Sequence, residues 1–394
     1  MNALGFAWRS LVRQPARSTL AVLGVAAAGA LLFDMLLLSH GLIVSMRDLL
    51  ERRGYDIRVT STTALPRSGP LVADATATVR ALAALPGVQG TVAIRFADAV
   101  FQDAAGEPIA ATFEGIAGNA ERPWSLLRGR DPVDLTDVVV SEAAARVLRI
   151  DIGSTVPLLV RCREADEALP ALPVHVTGIA ELTFEMSDEI TLAGSLATLQ
   201  RVCGGSDQDR ADVILVVSSG DPTRAAAAIR AARPDLEAAT NEQMLGRIED
   251  GGFTYFRQIS TVLTTVTVAF SSLLITVLLT VSVNQRLGAI AALRALGFSR
   301  KRMVADVLSE SALIVGLGGL LSLPLGGVLA LGLDEILRRM PGIPARLHFF
   351  VYQADALALH IALLAATAIL AALYPMRIVA RLPIAATLRA EVID

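Results

Sequence analysis

The sequence predicts an α-helical membrane protein with four transmembrane helices and one large α+β extracytoplasmic domain. Four long apolar runs predict the helices. A stretch of more than two hundred residues between the first and second runs, with mixed helix and strand patterns, predicts the domain. The placement of arginine predicts the orientation, because short Lys/Arg-rich segments stay on the cytoplasmic side. Arg9, Arg13 and Arg17 precede the first run without an acid. Arg286, Arg294, Arg300, Lys301 and Arg302 separate the second run from the third, and Arg377, Arg381 and Arg389 follow the fourth. Most acids lie between Asp48 and Asp250. The hydrophobic fraction of 53% is too high for an ordinary soluble protein and agrees with this class. The charge distribution gives no reason to expect a nucleic-acid partner.

Residues 1–17 read as a cytoplasmic tail and Ser18 to Ser39 as the first span. The run is longer than a signal-peptide core and lacks a small-residue cleavage site in the right place, so it is expected to be retained. At about 1.5 Å per residue it crosses a hydrocarbon layer of roughly 30 Å. Asp34 is expected near the outer interface, where a carboxylate stays hydrated; a functional intramembrane charge is the alternative.

His40 to Gln258 is the expected extracytoplasmic domain. Asp56 to Thr60 reads as a strand, Ala73 to Leu85 as a helix, and Thr91 to Phe101 and Ile109 to Ile116 as strands. Near the end of the region a strand is expected at Val213 to Ser218, a helix at Pro222 to Ala232 and a short strand at Leu236 to Thr240. Pro222 suits the first helical turn. Two β-α-β-like halves flanking a different middle suggest one split subdomain with an insertion, about 129–206. The insertion carries a strand at Asp137 to Ser141, a helix at Glu142 to Leu148, a segment Ile152 to Leu158 and a strand at Val174 to Ile179. Cys162 and Cys203 are the only cysteines. Outside the membrane they suit a disulfide, or two unlinked cysteines packed as small apolar groups.

The second span is expected at 259–283, the third at 305–334 and the fourth at 355–375, with an outer loop at 335–354 and a cytoplasmic tail at 376–394. The second is rich in Thr and Ser, which bond to their own backbone or across helices. On the third, Gly318, Ser322 and Gly326 repeat at four-residue spacing and form a candidate packing face. Pro324 is expected to kink it. His360 on the fourth reads as a packed or interfacial residue.

Between the second and third spans lies NQRLGAIAALRALGFSRKRM, residues 284–303. Leu287, Ile290, Ala291, Leu293 and Leu296 fall near one side at helical spacing, and Gly297 is a plausible stop. Leu293 and Leu296 are expected to face one groove of a partner, with Arg294 pointing elsewhere. A solvated turn carrying positive-inside charges is the simpler alternative.

This stretch resembles the signature of MacB/FtsX/LolC-type ABC transporter permeases, E-R-x-x-E-I-G-x-L-R-A-L-G. Gln285, Arg286, Ile290, Leu293, Arg294, Leu296 and Gly297 stand in register, with Gln285, Ala289 and Ala291 departing from the usual Glu, Glu and Gly. Two further blocks follow in order: Glu310, Leu313 and Gly316 to Gly319, then Pro375, Arg377, Ala380, Arg381, Leu382, Leu388 and Arg389. The insertion is similar to that of MacB-like outer domains, where an α/β porter subdomain is split by a mostly β one. The resemblance implies a permease subunit, multi-pass in the bacterial inner membrane with both termini cytoplasmic. It implies a separate ABC ATPase chain that binds ATP and magnesium and drives the outer domain mechanically to export or extract a substrate. A second permease copy or paralogue is implied as partner, and a periplasmic or outer-membrane partner is compatible. The alternative within the family is an FtsX-like signalling subunit that regulates an extracytoplasmic enzyme without transport.

Catalytic motifs are missing. Lys301, the only lysine, is flanked by Arg300 and Arg302, so no Walker A motif exists. The histidines His40, His175, His348 and His360 are scattered, and no H-E-x-x-H, C-x-x-C or G-x-S-x-G occurs. No catalytic residue, metal site or cofactor is expected on this chain.

Overall fold

The computed structural model describes residues 9, 11–13, 15–63, 69–102, 108–161, 171–187, 189–203, 209–248, 254–285, 287–297, 299–340, 344 and 347–381. They divide into two units. One comprises Met1–Val44, Gly252–Leu337 and His348–Asp394; the other comprises Ser45–Gly251 and Arg338–Leu347.

The first unit is helical. Its long helices are α1 (Pro15–Glu51), α7 (Thr254–Asn284), α9 (Arg300–Arg338) and α10 (Ala354–Arg381), with the short α8 (Leu287–Ala295) between α7 and α9. All four long helices are long and apolar enough to cross a membrane. All four extend past the predicted spans, α7 by starting at Thr254. α1 runs beyond Ser39 to Glu51, because Leu42, Leu49 and Leu50 continue its buried face. α9 starts at Arg300, where Ser299 caps it through Arg302 N–H donating to the Ser299 carbonyl at 3.1 Å. α10 passes through Pro375 to Arg381, because Pro375, Met376 and Val379 still pack inward. Pro324 lies inside an unbroken α9.

The candidate packing residues of α9 lie against α1. A Cβ on Gly318 would sit 2.6 Å from Val25, and one on Gly326 would sit 3.1 Å from Phe33. Ser322 is fully buried opposite Gly29, whose own Cβ would come 2.8 Å from it. Small residues on both helices are what allow this backbone approach. The hydroxyls of α7 turn mostly to their own helix: Thr265, Ser271, Thr276 and Thr280 each donate to the carbonyl four residues back. Thr276 also reaches the Ala371 carbonyl of α10 at 3.2 Å.

The second unit is built on one ten-stranded sheet. Its strands are β1 (Ile57–Thr60), β3 (Val88–Gln102), β4 (Pro108–Gly118), β5 (Trp124–Gly129), β6 (Asp137–Ser141), β7 (Thr155–Val160), β8 (Leu172–Leu182), β9 (Thr191–Ser195), β11 (Val213–Ser218) and β12 (Glu237–Thr240). The spatial order is β12-β1-β11-β3-β4-β9-β6-β8-β5, with β7 pairing β3 and β8. β2 (Val72–Ala73) and β10 (Arg210–Ala211) form a separate ribbon. Helices α2 (Ala75–Ala83), α3 (Glu142–Leu148), α4 (Leu196–Val202), α5 (Pro222–Ala232) and α6 (Asn241–Ile248) complete the unit.

The middle strands are therefore not a separate sheet. β9 pairs in parallel with β4, from Thr112↔Thr191 to Ile116↔Ser195, and so carries β6, β8 and β5 on the same ladder. The inserted strands begin at Trp124, ahead of the expected boundary. Close pairing at this seam needs small residues: a Cβ on Gly115 would meet the Leu196 backbone at 3.3 Å, and one on Gly194 would meet Phe113 at 3.1 Å.

Both sheet faces are buried, so several strands read as continuous apolar runs. Val138 and Val140 of β6 and Ile214 and Val216 of β11 join the larger core with Val79 and Leu82 of α2 and Ile229 of α5. Val139, Val213 and Leu215 point to the other face, with Tyr55, Ile94, Ile116 and Trp124. Local capping agrees with the sequence. Asp221 accepts from Thr223 N–H at 2.9 Å with Pro222 next in line, and Ser141 accepts from Ala144 N–H at 3.0 Å.

Polar contacts hold the chain ends of this unit. Asp56 accepts from Ser218 N–H at 3.0 Å. Buried Arg58 donates to the Asn241 side chain and to the Leu50 carbonyl, while Asn241 Nδ2 donates to Leu50 and Tyr55 carbonyls at 3.1 and 2.8 Å. Burial lowers the Arg58 guanidinium to about 10, still charged near neutrality. Cys203 is disulfide-bonded; Cys162 lies outside the described residues.

Candidate functional site

The segment joining α7 to α9 folds as a turn, the short helix α8 and a second turn. Its apolar residues separate into two groups. Leu287, Ile290 and Leu293 are half-buried and pack with Val283, Met303, Met376, Ile378 and Val379 from α7, α9 and α10. Ala291 is fully buried. Leu296 is 78% exposed. Leu293 and Leu296 therefore do not share an outward face, which corrects the reading from spacing. The physical reason is the helix end. α8 stops at Ala295, Leu296 N–H donates to the Ala292 carbonyl at 3.0 Å, and Gly297 takes a left-handed φ of 95°. Leu296 lies just past the packed turns of α8, and the chain leaves the helix at Gly297 beyond it.

Of the other signature positions, Gln285 is exposed in the turn after α7, with its N–H donating to the Val281 carbonyl at 3.1 Å. Arg294 falls on α8, and Arg286 lies outside the described residues. Arg300, Lys301 and Arg302 are exposed at the start of α9. The segment thus presents an exposed leucine and a basic rim on a base fastened by three leucine and isoleucine side chains.

Inside the helical unit, Asp34 is 1% exposed, and neither of its carboxylate oxygens has a hydrogen-bond partner among the described residues. The expected hydrated position is not what is found. Leu32, Phe33, Leu36 and Leu37 are buried beside it, so Asp34 falls on the covered side of α1, while Leu31 on the same turn is half exposed. On α10, His360 is also 1% exposed, with Nε2 3.0 Å from Ser322 Oγ and its ring 5.1 Å from that of Phe33. The sequence suggested a packed histidine but not its partner, since the two lie 38 positions apart. No cluster of His, Cys, Asp and Glu that would hold a metal occurs among the described residues.

A four-helix membrane unit joined to an α/β domain on a mixed sheet defines the class: a polytopic membrane protein with one large extramembrane domain. The model of the MacB-like periplasmic core domain matches residues 18–233, and that of the FtsX-like permease C-terminal region matches residues 261–384. The chain belongs to the MacB/FtsX-like permease family, bacterial inner-membrane proteins that serve as membrane subunits of ABC transporters. No curated protein sequence matches significantly. Among solved structures, the chain is similar to the periplasmic region of MacB from Actinobacillus actinomycetemcomitans, at 16% identity and a TM-score of 0.38, covering 51% of this chain and 98% of that one. It is also similar to the extracellular domain of the noncanonic ABC-type transporter YknZ from Gram-positive bacteria, at 12% identity and a TM-score of 0.34, covering 47% and 98%. A domain of a putative permease from Porphyromonas gingivalis matches at 12% identity and a TM-score of 0.28, covering 48% and 90%.

Proposed function

We propose that this chain couples ATP hydrolysis on a separate ATPase chain, which binds the ATP and magnesium, to movement of its α/β domain, and so exports or extracts a substrate. The loop between α7 and α9 faces the cytoplasm, with both termini on the same side, and the α/β domain lies outside. The observation that carries this reading is Leu296. An apolar side chain 78% exposed at a helix end, on a base packed through Leu287, Ile290 and Leu293, has the form of an anchor awaiting a groove. Anchors of this kind typically contribute about 2 kcal/mol or more to an interface.

The test is affinity purification of the full-length chain from its native host, followed by Mg-ATP hydrolysis in the eluate. Leu296→Asp should insert into the membrane as the parent does and lose the copurifying ATPase activity. Arg300→Ala should lose less. Normal insertion of Leu296→Asp with undiminished ATPase activity would sink the proposal, as would hydrolysis by the pure chain alone.

A further inference from the structure

α1 is a single helix from Pro15 to Glu51, and the boundary between the two units falls inside it, between Val44 and Ser45. Its last turns therefore belong to the α/β unit. Arg53 and Gly54 take left-handed φ values of 67° and 69°, which end the helix abruptly. Tyr55 and Asp56 then lead into β1 at Ile57. At the other end of the unit, α6 runs from Asn241 to Ile248, and α7 begins six positions later at Thr254.

The exit from α1 and the return towards α7 meet at Asn241. Its Nδ2 donates to the Leu50 carbonyl, in the last turn of α1, at 3.1 Å and to the Tyr55 carbonyl at 2.8 Å. Its backbone N–H donates to the Asp56 carbonyl at 3.0 Å. Arg58 Nη2 reaches the same Leu50 carbonyl at 3.3 Å, and Nη1 donates to Asn241 Oδ1. Both side chains are buried. These acceptors are neutral, but the guanidinium stands at the negative end of the α1 dipole, which favours a cation. Beside the bonds, Met46 and Leu50 of α1 pack with Met244 and Leu245 of α6. Methionine contacts adapt when helices slide. Two hydrogen bonds on one carbonyl do not, because they weaken steeply with distance and angle.

We propose that Arg58 and Asn241 form the joint through which a movement of α1 enters the α/β domain. Three elements share it: the last turn of α1, β1 and α6. β1 pairs with β12 on one side, Arg58 opposite Ala239, and with β11 on the other, Arg58 opposite Leu215. A displacement received at Arg58 therefore reaches the sheet through two ladders. With the joint intact, a tilt or shift of α1 turns this edge of the sheet. With it broken, the same movement is taken up in the connector, residues 52–56. Arg58 and Asn241 are positioning residues, acting through the backbone of α1 and β1. The inference rests on the coupling reading above and extends it, by naming where in the α/β domain the movement is received.

The test uses the full chain with the ATPase that copurifies with it, in phosphatidylcholine nanodiscs. Hydrogen exchange read by mass spectrometry compares Mg-ATP plus vanadate with no nucleotide. In the parent, nucleotide should change exchange in α8 and also in β1, β11 and β12. Asn241→Leu should keep the ATPase activity and the change in α8, and lose the change in the three strands. Arg58→Lys keeps the charge with fewer donors and should lose part of it; this variant carries the test where Asn241→Leu fails to fold. Val138→Ala opens the larger core on β6, four strands away from β1, and should respond as the parent does. Strands that respond normally in both joint variants would overturn the proposal. So would a lost response in Val138→Ala, which would make the effect one of stability alone, or parent strands that stay silent while α8 responds. A parent that copurifies with no ATPase would instead undo the coupling reading, and this inference with it.

Discussion

Asp334, near the end of α9, accepts a hydrogen bond from the backbone N–H of Phe349 at 2.7 Å. The same carboxylate accepts from Phe350 N–H at 3.3 Å and lies 3.1 Å from His348 Nδ1. It is 8% exposed, so the entry of the chain into α10 depends on a nearly buried acceptor. Asp334→Ala strands two backbone donors and should destabilise the detergent-solubilised chain by about 1–3 kcal/mol in thermal unfolding. Asp334→Asn keeps one acceptor oxygen and should cost less. Equal midpoints for parent and Asp334→Ala would refute the clamp.

The two leucines around the end of α8 should behave differently. Leu293 packs in the cluster with Met303 and Val379, and Leu293→Ala should cost about 1–3 kcal/mol. Leu296→Ala should change stability by no more than about 0.5 kcal/mol, because its side chain already stands in the open. Chemical denaturation of the two variants in one detergent checks the order, and a larger loss for Leu296→Ala would contradict the placement.

Glu185 should make stability depend on pH. Burial pushes its carboxyl up from 4.5 to about 7; a hydrogen bond with Ser141 opposes the rise, and the nearby Glu189 and Glu142 add to it. The folded state thus holds a proton that the unfolded chain gives up near pH 4.5. Its contribution is fully present below pH 4.5 and is lost as pH rises through about 7. Within that window each pH unit costs at most about 1.4 kcal/mol from this group. Glu185→Gln should flatten the loss in unfolding experiments run from pH 4 to 8. A parent-like pH slope in Glu185→Gln would show that other groups set it.

Two neighbouring glycines of α9 should respond in opposite directions. Gly318→Ala drives a Cβ to 2.6 Å from Val25 and 3.0 Å from the Val22 carbonyl, and should destabilise by about 1–3 kcal/mol. Gly316→Ala meets nothing within 4 Å and should be neutral, or stabilising by up to about 1 kcal/mol from helix propensity. Thermal unfolding of both variants decides, and similar losses would mean that α1 and α9 are not in close contact at Val25.

The sequence by itself determined the membrane class, the four long helices and most strands of the domain. These are local properties: apolar runs, period-two stretches, and caps such as Asp221-Pro222 and Ser141 act over a few residues. β6, α3, β11 and α5 fall where the residues put them, at Asp137–Ser141, Glu142–Leu148, Val213–Ser218 and Pro222–Ala232. The alignment of Gln285 to Gly297 with a permease signature was legible for the same reason. Tertiary structure decided what each exposed-looking residue faces. Leu293 and Leu296 sit on one side of an ideal helix, yet the approach of α9 and α10 covers Leu293 and stops short of Leu296 at the end of α8. Asp34 looked interfacial because spacing gives depth along a helix but not what surrounds it there. The parallel β4–β9 seam and the Ser322–His360 pair join residues tens of positions apart. Such contacts depend on how separate elements pack, and no local pattern encodes them.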